Sequence, residues 1–359
     1  MPVTVSYPGV YIEELNGLSL SVSASATSVP VFAVDTANPY FVKTTRISSW
    51  MDYLNKKTTV ASAVPVPFDP DDILDVCMRT YFENGGGYCY LIPTPDWVAE
   101  VPKLIDATTL VAAGQDITSP VGMLCGTGRC LFAIVDGPTT DLSQATGSAP
   151  VSSLVSEFAA IYYPWLLANW TTQAIPPSAV MAGVYCRVDL TRGVWKAPAN
   201  VTINGGLVPQ FAVTDDLQGQ YTKGDALNMI RVFNKGGTTV WGARTRLDSD
   251  QWRYVPVRRL FDSAERDIKM AMKPAMFEPN SQPTWAEARG SIENYLNKLW
   301  QQGALAGARA EEAYFVQVGK DVTMTQDDIN QGMMIVKVGM AAVRPAEFII
   351  LQFTQDMAQ

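Results

Sequence analysis

The strongest chemical statement in this chain is an absence: its 359 residues contain no histidine. That removes the commonest general base and metal ligand, together with every Ser/His or Cys/His dyad. Cys125 and Cys130 lie close in sequence, but neither a second cysteine pair nor a histidine completes a zinc set. Buried thiols are the ordinary reading. Gly85-Gly86-Gly87 has the composition of a phosphate cradle, yet it follows a helical pattern instead of opening one. Neither a dinucleotide fingerprint nor a P-loop is present. The adjacent carboxylates Asp71-Asp72 and Asp327-Asp328 are better explained as helix-start charges favoured by the macrodipole than as an acid/base pair. Trp195, between Arg192 and Lys196, has the makings of a cation–π cage, though a tryptophan packed under amphipathic stems is the simpler expectation. No catalytic residue, cofactor site or metal site is assigned.

Composition points to a sizeable fold. The length suits two or three domains, or one α/β domain with additions. Hydrophobic residues make up 47% and charged residues 17%, which supports a large core and argues against wholesale disorder. A net charge of -8 argues against nucleic acid as a partner. The densest basic stretch holds Arg244, Arg246, Arg253, Arg258, Arg259, Arg266, Lys269 and Lys273, interleaved with Asp248, Asp250, Asp262, Glu265 and Asp267. A salt-bridged, solvated surface is expected there. Five cysteines (Cys77, Cys89, Cys125, Cys130 and Cys186) are an odd number without framework spacing. They read as reduced thiols of a chain folded in a cytosol. The opening Met1-Pro2-Val3-Thr4 lacks a basic and then apolar leader, so no signal peptide is expected. The apolar stretch 159–170 is interrupted by Pro164 and Asn169 and is too short to span a bilayer, so no membrane insertion is expected.

Apolar runs at 29–34, 88–92 and 131–135 read as buried strands. A helix is expected after Asp69-Pro70-Asp71-Asp72, with Ile73, Leu74, Cys77, Met78, Tyr81 and Phe82 at helical spacing and the glycine run ending it. Residues 151–160 and 178–188 suggest further helices, with a strand around 162–167 between them. This alternation predicts a largely parallel, doubly covered sheet. A strand is expected over 238–244. The clearest helix follows Pro283, where Thr284 and Glu287 have capping-box spacing. Trp285, Ala288, Ile292, Tyr295, Leu296 and Leu299 form its apolar stripe. Residues 314–318 read as a strand, Thr325 and Asp328 as a helix cap, and 333–343 as the last internal strand.

The two ends look like strands made to be finished by another molecule. Leu18, Leu20 and Val22 alternate with serines, the period-two pattern of a half-buried strand. Phe348, Ile349, Ile350 and Leu351 are apolar on both faces, with Phe353 beyond them, and sit where chain ends normally fray. An unpaired edge is a template for a further chain. Residues 24–28 are small and polar, a plausible linker.

Motifs along the chain then resemble those of contractile tail sheath proteins. Tyr7-Pro8-Gly9-Val10-Tyr11-Ile12-Glu13-Glu14 is similar to the family's N-terminal signature. Further matches are Tyr162-Tyr163-Pro164-Trp165, Arg192-Gly193-Val194-Trp195-Lys196-Ala197-Pro198-Ala199 and Val240-Trp241-Gly242-Ala243-Arg244-Thr245. Trp252-Arg253-Tyr254-Val255 leads to Val257-Arg258-Arg259-Leu260. Phe277-Glu278-Pro279-Asn280 and Pro345-Ala346-Glu347-Phe348-Ile349 complete the series. The chain length and Gly85 to Tyr90 are most similar to sheaths of extracellular contractile injection systems, of the antifeeding-prophage and Photorhabdus virulence-cassette type.

The resemblance implies an α/β fold: an outer α/β sheath domain plus a smaller C-terminal α+β inner domain, with extended N- and C-terminal β-strand arms. Its expected divisions are an N-terminal linker arm 1–28, an outer domain 29–246, a tube-facing domain 247–343 and a C-terminal linker arm 344–359. It implies a structural subunit that polymerises by inter-subunit strand exchange around an inner tube, in stacked hexameric rings of a helical array. Contraction then drives the tube through a target envelope. Implied partners are further copies of the chain, the inner tube protein, baseplate and terminal cap proteins, and paralogous sheath proteins. The chain would be made in the bacterial cytoplasm and assembled into a phage tail-like particle open to extracellular release. The arms would carry Leu18, Leu20, Val22, Phe348, Ile349, Ile350, Leu351 and Phe353. Asn16, Gly17, Arg344 and Pro345 are the hinge candidates, because hinges absorb rotation at element ends. The family's outer domain has been likened to subtilisin, but without histidine no triad can form. The competing reading is a non-contractile, self-assembling surface or adhesive protein, which predicts flat arrays and a secretion signal.

Overall fold

In the computed structural model, which describes residues 20–59, 64–144, 152–224, 226–233 and 237–348, the short apolar runs become strands of one sheet. Its first half runs β1 (Pro30–Val34), β2 (Thr45–Ile47), α1 (Trp50–Lys56), α2 (Ile73–Glu83), β3 (Cys89–Pro93), α3 (Trp97–Glu100), β4 (Thr109–Val111), α4 (Thr118–Leu124) and β5 (Phe132–Asp136). There follow β6 (Ala159–Tyr163), β7 (Leu166–Leu167), α5 (Pro177–Arg192), β8 (Val201–Thr202), β9 (Val208–Pro209), α6 (Asp215–Gln220), β10 (Asn228–Phe233) and β11 (Gly237–Val240). The sheet order is β2-β3-β1-β4-β5-β6-β10-β11-β8. From β3 to β10 every pairing is parallel. The remaining edge pairings are antiparallel.

Burial follows the pleat. Phe32 and Val34 of β1 join a core with α2 and α5, while Val31 and Ala33 join another with Trp97 of α3 and Leu124 of α4. Both faces are thus covered, as a parallel sheet requires. Asp72 caps α2, accepting from the amide of Leu74 at 2.8 Å, and Gly85 follows the helix at φ +99°.

Beyond the sheet come α7 (Val255–Met272), α8 (Gln282–Gln301), α9 (Ala310–Ala313), β12 (Tyr314–Gln317), α10 (Gln326–Asn330) and β13 (Lys337–Met340). The described chain forms two compact units. Ser25–Arg266 with residues 342–348 make the larger; residues 20–24 with Asp267–Ala341 make the smaller. The passage at 266/267 falls inside α7, and Leu247 lies within the larger unit. In the smaller unit, Ala288, Ile292, Tyr295, Leu296 and Leu299 of α8 are buried. There β12 pairs with β13 as an antiparallel ribbon.

Five expectations are corrected. Residues 152–158 form no helix. Ser152 and Ser156 instead accept from the amides of Leu154 and Phe158, the local bonding by which serine competes with helix. The strand expected near 162–167 begins at Ala159, and Leu166–Leu167 pairs separately with β9. The strand of 238–244 stops at Val240, and the amide of Arg244 beyond it is claimed by Asn228 Oδ1 at 2.6 Å. In α8, Ser281 is the cap residue, Thr284 bonds the carbonyl of Pro279, and Glu287 accepts from the amide of Leu20. By contrast, Thr325 and Asp328 form a complete capping box on α10. The strand of 333–343 is confined to Lys337–Met340.

Candidate functional site

Where residues 342–348 and 25–28 attach to the larger unit, arginines hold them. At the C-terminal attachment the mount is built first. Arg244 follows β11, and its backbone is clamped by the side chain of Asn228 on β10. The Arg244 amide donates to Asn228 Oδ1 at 2.6 Å, and Asn228 Nδ2 donates to Arg244 O at 2.8 Å. Gly242 permits this approach, since a Cβ there would lie 2.9 Å from Asn228 Cα. The Arg244 guanidinium, almost wholly buried, then grips Glu347. Its Nε lies 2.9 and 3.0 Å from the two carboxylate oxygens and Nη2 2.6 Å from Oε2. Nη1 donates to the carbonyl of Thr222. Tyr254 completes the grip, its hydroxyl donating to Glu347 Oε2 at 3.1 Å. Partial burial, and then the Glu347 charge, push the Tyr254 phenol up. Bidentate Arg–carboxylate pairs combine strength with fixed direction.

The N-terminal attachment uses α7. Arg259 pairs with Asp189 of α5 at 2.6 Å, both nearly inaccessible to solvent, and lies 4.5 Å from the centre of the Tyr185 ring. Burial pulls the Arg259 guanidinium down, but the adjacent Asp189 charge outweighs it and holds the group above its ordinary value. Thr27 is caught in this pair: its hydroxyl donates to Asp189 Oδ2 at 2.6 Å and its carbonyl accepts from Arg259 at 3.1 Å. Arg266 donates to Ser25 Oγ at 3.1 Å and to Ala26 O at 2.7 Å. Cys186 Sγ donates to Ser28 Oγ at 3.4 Å. The small, polar stretch 25–28 is therefore pinned down.

Within the basic stretch Arg244, Arg246, Arg258, Arg259 and Arg266 are thus buried, whereas Lys269 and Lys273 are exposed. Arg246 is 1% exposed, and its guanidinium donates to the carbonyls of Leu154, Ala226 and Ser152. Arg258 lies 4.1 Å from the centre of the Trp252 ring and 2.9 Å from Asp262. Burial, opposed by Arg258, pushes the Asp262 carboxyl up to about 7. The physical reason is the backbone: irregular segments bring carbonyl oxygens into the interior, and buried acceptors require donors. Arginine supplies several from one fork. Arg253, between Asp248 and Asp250, keeps the surface character expected of the whole run.

Among the strand-arm residues, Leu20 is half-buried and donates its amide to Glu287 Oε1 at 3.1 Å, while Val22 is buried. With Ser21 they line a cavity of about 330 Å³ against Ser291, Tyr295 and Lys298 of α8. Residues 20–24 are not in a strand in the single chain. Arg344 is exposed, Pro345 half-buried and Phe348 70% exposed. Leu18, Asn16, Gly17, Ile349, Ile350, Leu351 and Phe353 lie outside the described residues.

The carboxylates and thiols singled out for chemistry have structural employment. Asp72 and Asp328 are caps, and Asp71 accepts from Thr172. No disulfide joins the five cysteines, and Gly85 to Gly87 follow α2 as its closing turn. Among the described residues no group of three potential metal ligands occurs. No helix among them is long and apolar enough to cross a membrane. Where doubly wound sheets bind ligands, at the carboxyl ends of the strands, Asp136 of β5 sits at the start of α5. It accepts from Ser178 N at 2.7 Å, Ser178 Oγ at 2.9 Å and Gly114 N at 2.8 Å. Burial pushes its carboxyl up to about 6, against the pull of those donors. Sequence reasoning missed Asp136, Asp189 and Glu347. Glu347 carried a readable signal, a lone carboxylate beside an apolar terminal run.

Residues 248–356 match the family described as the phage tail sheath C-terminal domain. Among solved structures, the chain is similar to the PVC sheath of an extracellular contractile injection system in its contracted state. The two share 60% identity, with TM-score 0.90 over 99% of each chain. The contracted helical sheath of the anti-feeding prophage is 43% identical, with TM-score 0.80 over 98% of this chain and 100% of that one. A tail sheath protein of Burkholderia phage BcepMu is 26% identical over 197 residues, a match spanning 50% of this chain and 41% of that protein. End-to-end likeness at such identity places the chain in the contractile tail sheath family, on the branch of the extracellular contractile injection systems.

Proposed function

We propose that the chain polymerises into stacked hexameric rings around an inner tube, by lending strands to neighbouring copies, and contracts to drive that tube through a target envelope. The observation that carries this reading is the 60% identity, over 99% of the chain, to a sheath solved in its contracted state. The β12–β13 ribbon supports it. A two-stranded ribbon is marginal alone in water, and its free edges can accept further strands by β-augmentation. Leu18, Leu20 and Val22 from one neighbour and Phe348, Ile349, Ile350, Leu351 and Phe353 from another are the strands proposed to complete it. The C-terminal domain, opening near Leu247 on the family's pattern, would face the tube. Asn16, Gly17, Arg344 and Pro345 are proposed to absorb the rotation of domains while the linked strands persist.

Baseplate, terminal cap and paralogous sheath proteins are the further partners, in a particle assembled in the cytoplasm and released from the cell. The contraction energy resides in a metastable extended lattice, so this chain needs no catalysis of its own. Asp136 supports a non-enzymatic role, because its carboxylate fills the strand-end position at the start of α5. Negative-stain microscopy of the purified chain, alone and with the tube protein, tests the reading. Hollow cylinders are expected. Flat arrays, or dispersed monomers under every condition, would reject it.

A further inference from the structure

We infer that Glu347 is the positioning residue of the C-terminal arm: gripped by Arg244 and Tyr254, it fixes the register in which the following strand meets another copy. This rests on the proposed strand exchange and adds to it. A strand's register is ordinarily set by its alternation, since a one-residue slip turns every side chain to the opposite face. Phe348, Ile349, Ile350 and Leu351 have no alternation. A slipped pairing would present an equally apolar face, so the run does not specify its own register. That information must come from where the strand leaves the body.

Glu347 is placed to give it. It immediately precedes Phe348, and its carboxylate meets Arg244 in three contacts of 2.6 to 3.0 Å and Tyr254 in a fourth. The mount is itself rigid: the Arg244 backbone is fixed in both directions by Asn228, and Nη1 is spent on Thr222 O. Arg244 is 7% exposed, whereas Phe348, one residue past the grip, is 70% exposed. Exposure thus changes sharply across Glu347, from a buried mount to a solvent-facing Phe348.

Single-glycine insertions on either side of Glu347 test this, with assembled protein measured by sedimentation and microscopy and monomer folding by thermal melting. An insertion between Arg344 and Pro345 lies upstream of the grip, which resets the register, and should assemble to within about twofold of the parent chain. An insertion between Glu347 and Phe348 moves the paired copy by one residue relative to the gripped body, an offset that a closed ring cannot absorb, and should lower assembly by about tenfold or more. Glu347→Ala should behave like the downstream insertion, and Glu347→Gln, which keeps one acceptor, should fall between. Equal loss from the two insertions, or normal assembly of Glu347→Ala with an unchanged melt, would overturn the inference while leaving strand exchange intact. Failure of the parent chain itself to assemble would instead overturn the strand exchange on which it rests.

Discussion

At the scale of single residues, the informative charges are those hidden from water. Arg259→Ala would leave Asp189 buried without its partner, and breaking such a pair costs about 3–5 kcal/mol. Arg253→Ala removes two pairs at the surface and should cost about 1 kcal/mol or less. Denaturant midpoints of the two variants compare them directly, and equal losses would refute the distinction. Asp136 gives a pH signature. Its folded carboxyl titrates near 6, above the ordinary 3.8, so the folded state holds the proton more tightly than the unfolded. The stability this contributes is complete below about pH 4 and lost as pH rises through 6. Relative to Asp136→Asn, the parent should lose up to about 3 kcal/mol across that window; parallel pH curves for the two would exclude it. The helix caps Asp72, Thr325 and Asp328 were legible because cap and helix are adjacent in sequence. The buried arginines were not: Arg246 serves the carbonyl of Ser152, and composition alone predicts exposure for such residues.

At the scale of elements, legibility tracked how local the deciding interaction is. The strongly periodic runs that became α2 and α8, and the apolar runs that became β1, β3 and β5, appear within a few residues of expectation. Residues 152–158 failed because serine hydroxyls and a distant arginine satisfy the backbone that a helix would otherwise use. Strand β11 ended early because Arg244, four residues past Val240, is claimed by Asn228. Gly183 shows the same competition between local preference and packing. In an exposed helix, alanine would be favoured over glycine by about 1 kcal/mol. In α5, however, a Cβ at Gly183 would lie 2.4 Å from Tyr81 O and 2.9 Å from Asn84 Cβ. Overpacking costs about 1–3 kcal/mol, and a backbone atom of α2 cannot rotate away. Gly183→Ala should therefore lower the melting temperature; a rise would show that α2 and α5 separate more easily than this contact implies.

For the whole molecule, the doubly covered sheet was legible from alternating elements, while the passage between the two units falls inside α7, where no turn signal or composition shift marks it. A chain ending at Arg344 retains every described helix and strand but lacks Glu347. It is expected to melt as a folded protein and to remain dispersed; cylinders from that truncation would remove the C-terminal arm from assembly. The proposed contact with an inner tube, which contraction must release, suits polar groups screened by salt. Rising ionic strength should strip tube protein from mixed particles before sheath copies part, and salt-insensitive tube binding would argue for an apolar contact. The passage between units inside α7 carries a practical corollary. The smaller unit is stitched from separate stretches and shares an unbroken helix with its companion, so it is no detachable cassette. Anyone building a hybrid particle by transplanting it would have to make coordinated cuts near 24, 266 and 341, and choose a donor whose α7 continues in phase across the splice.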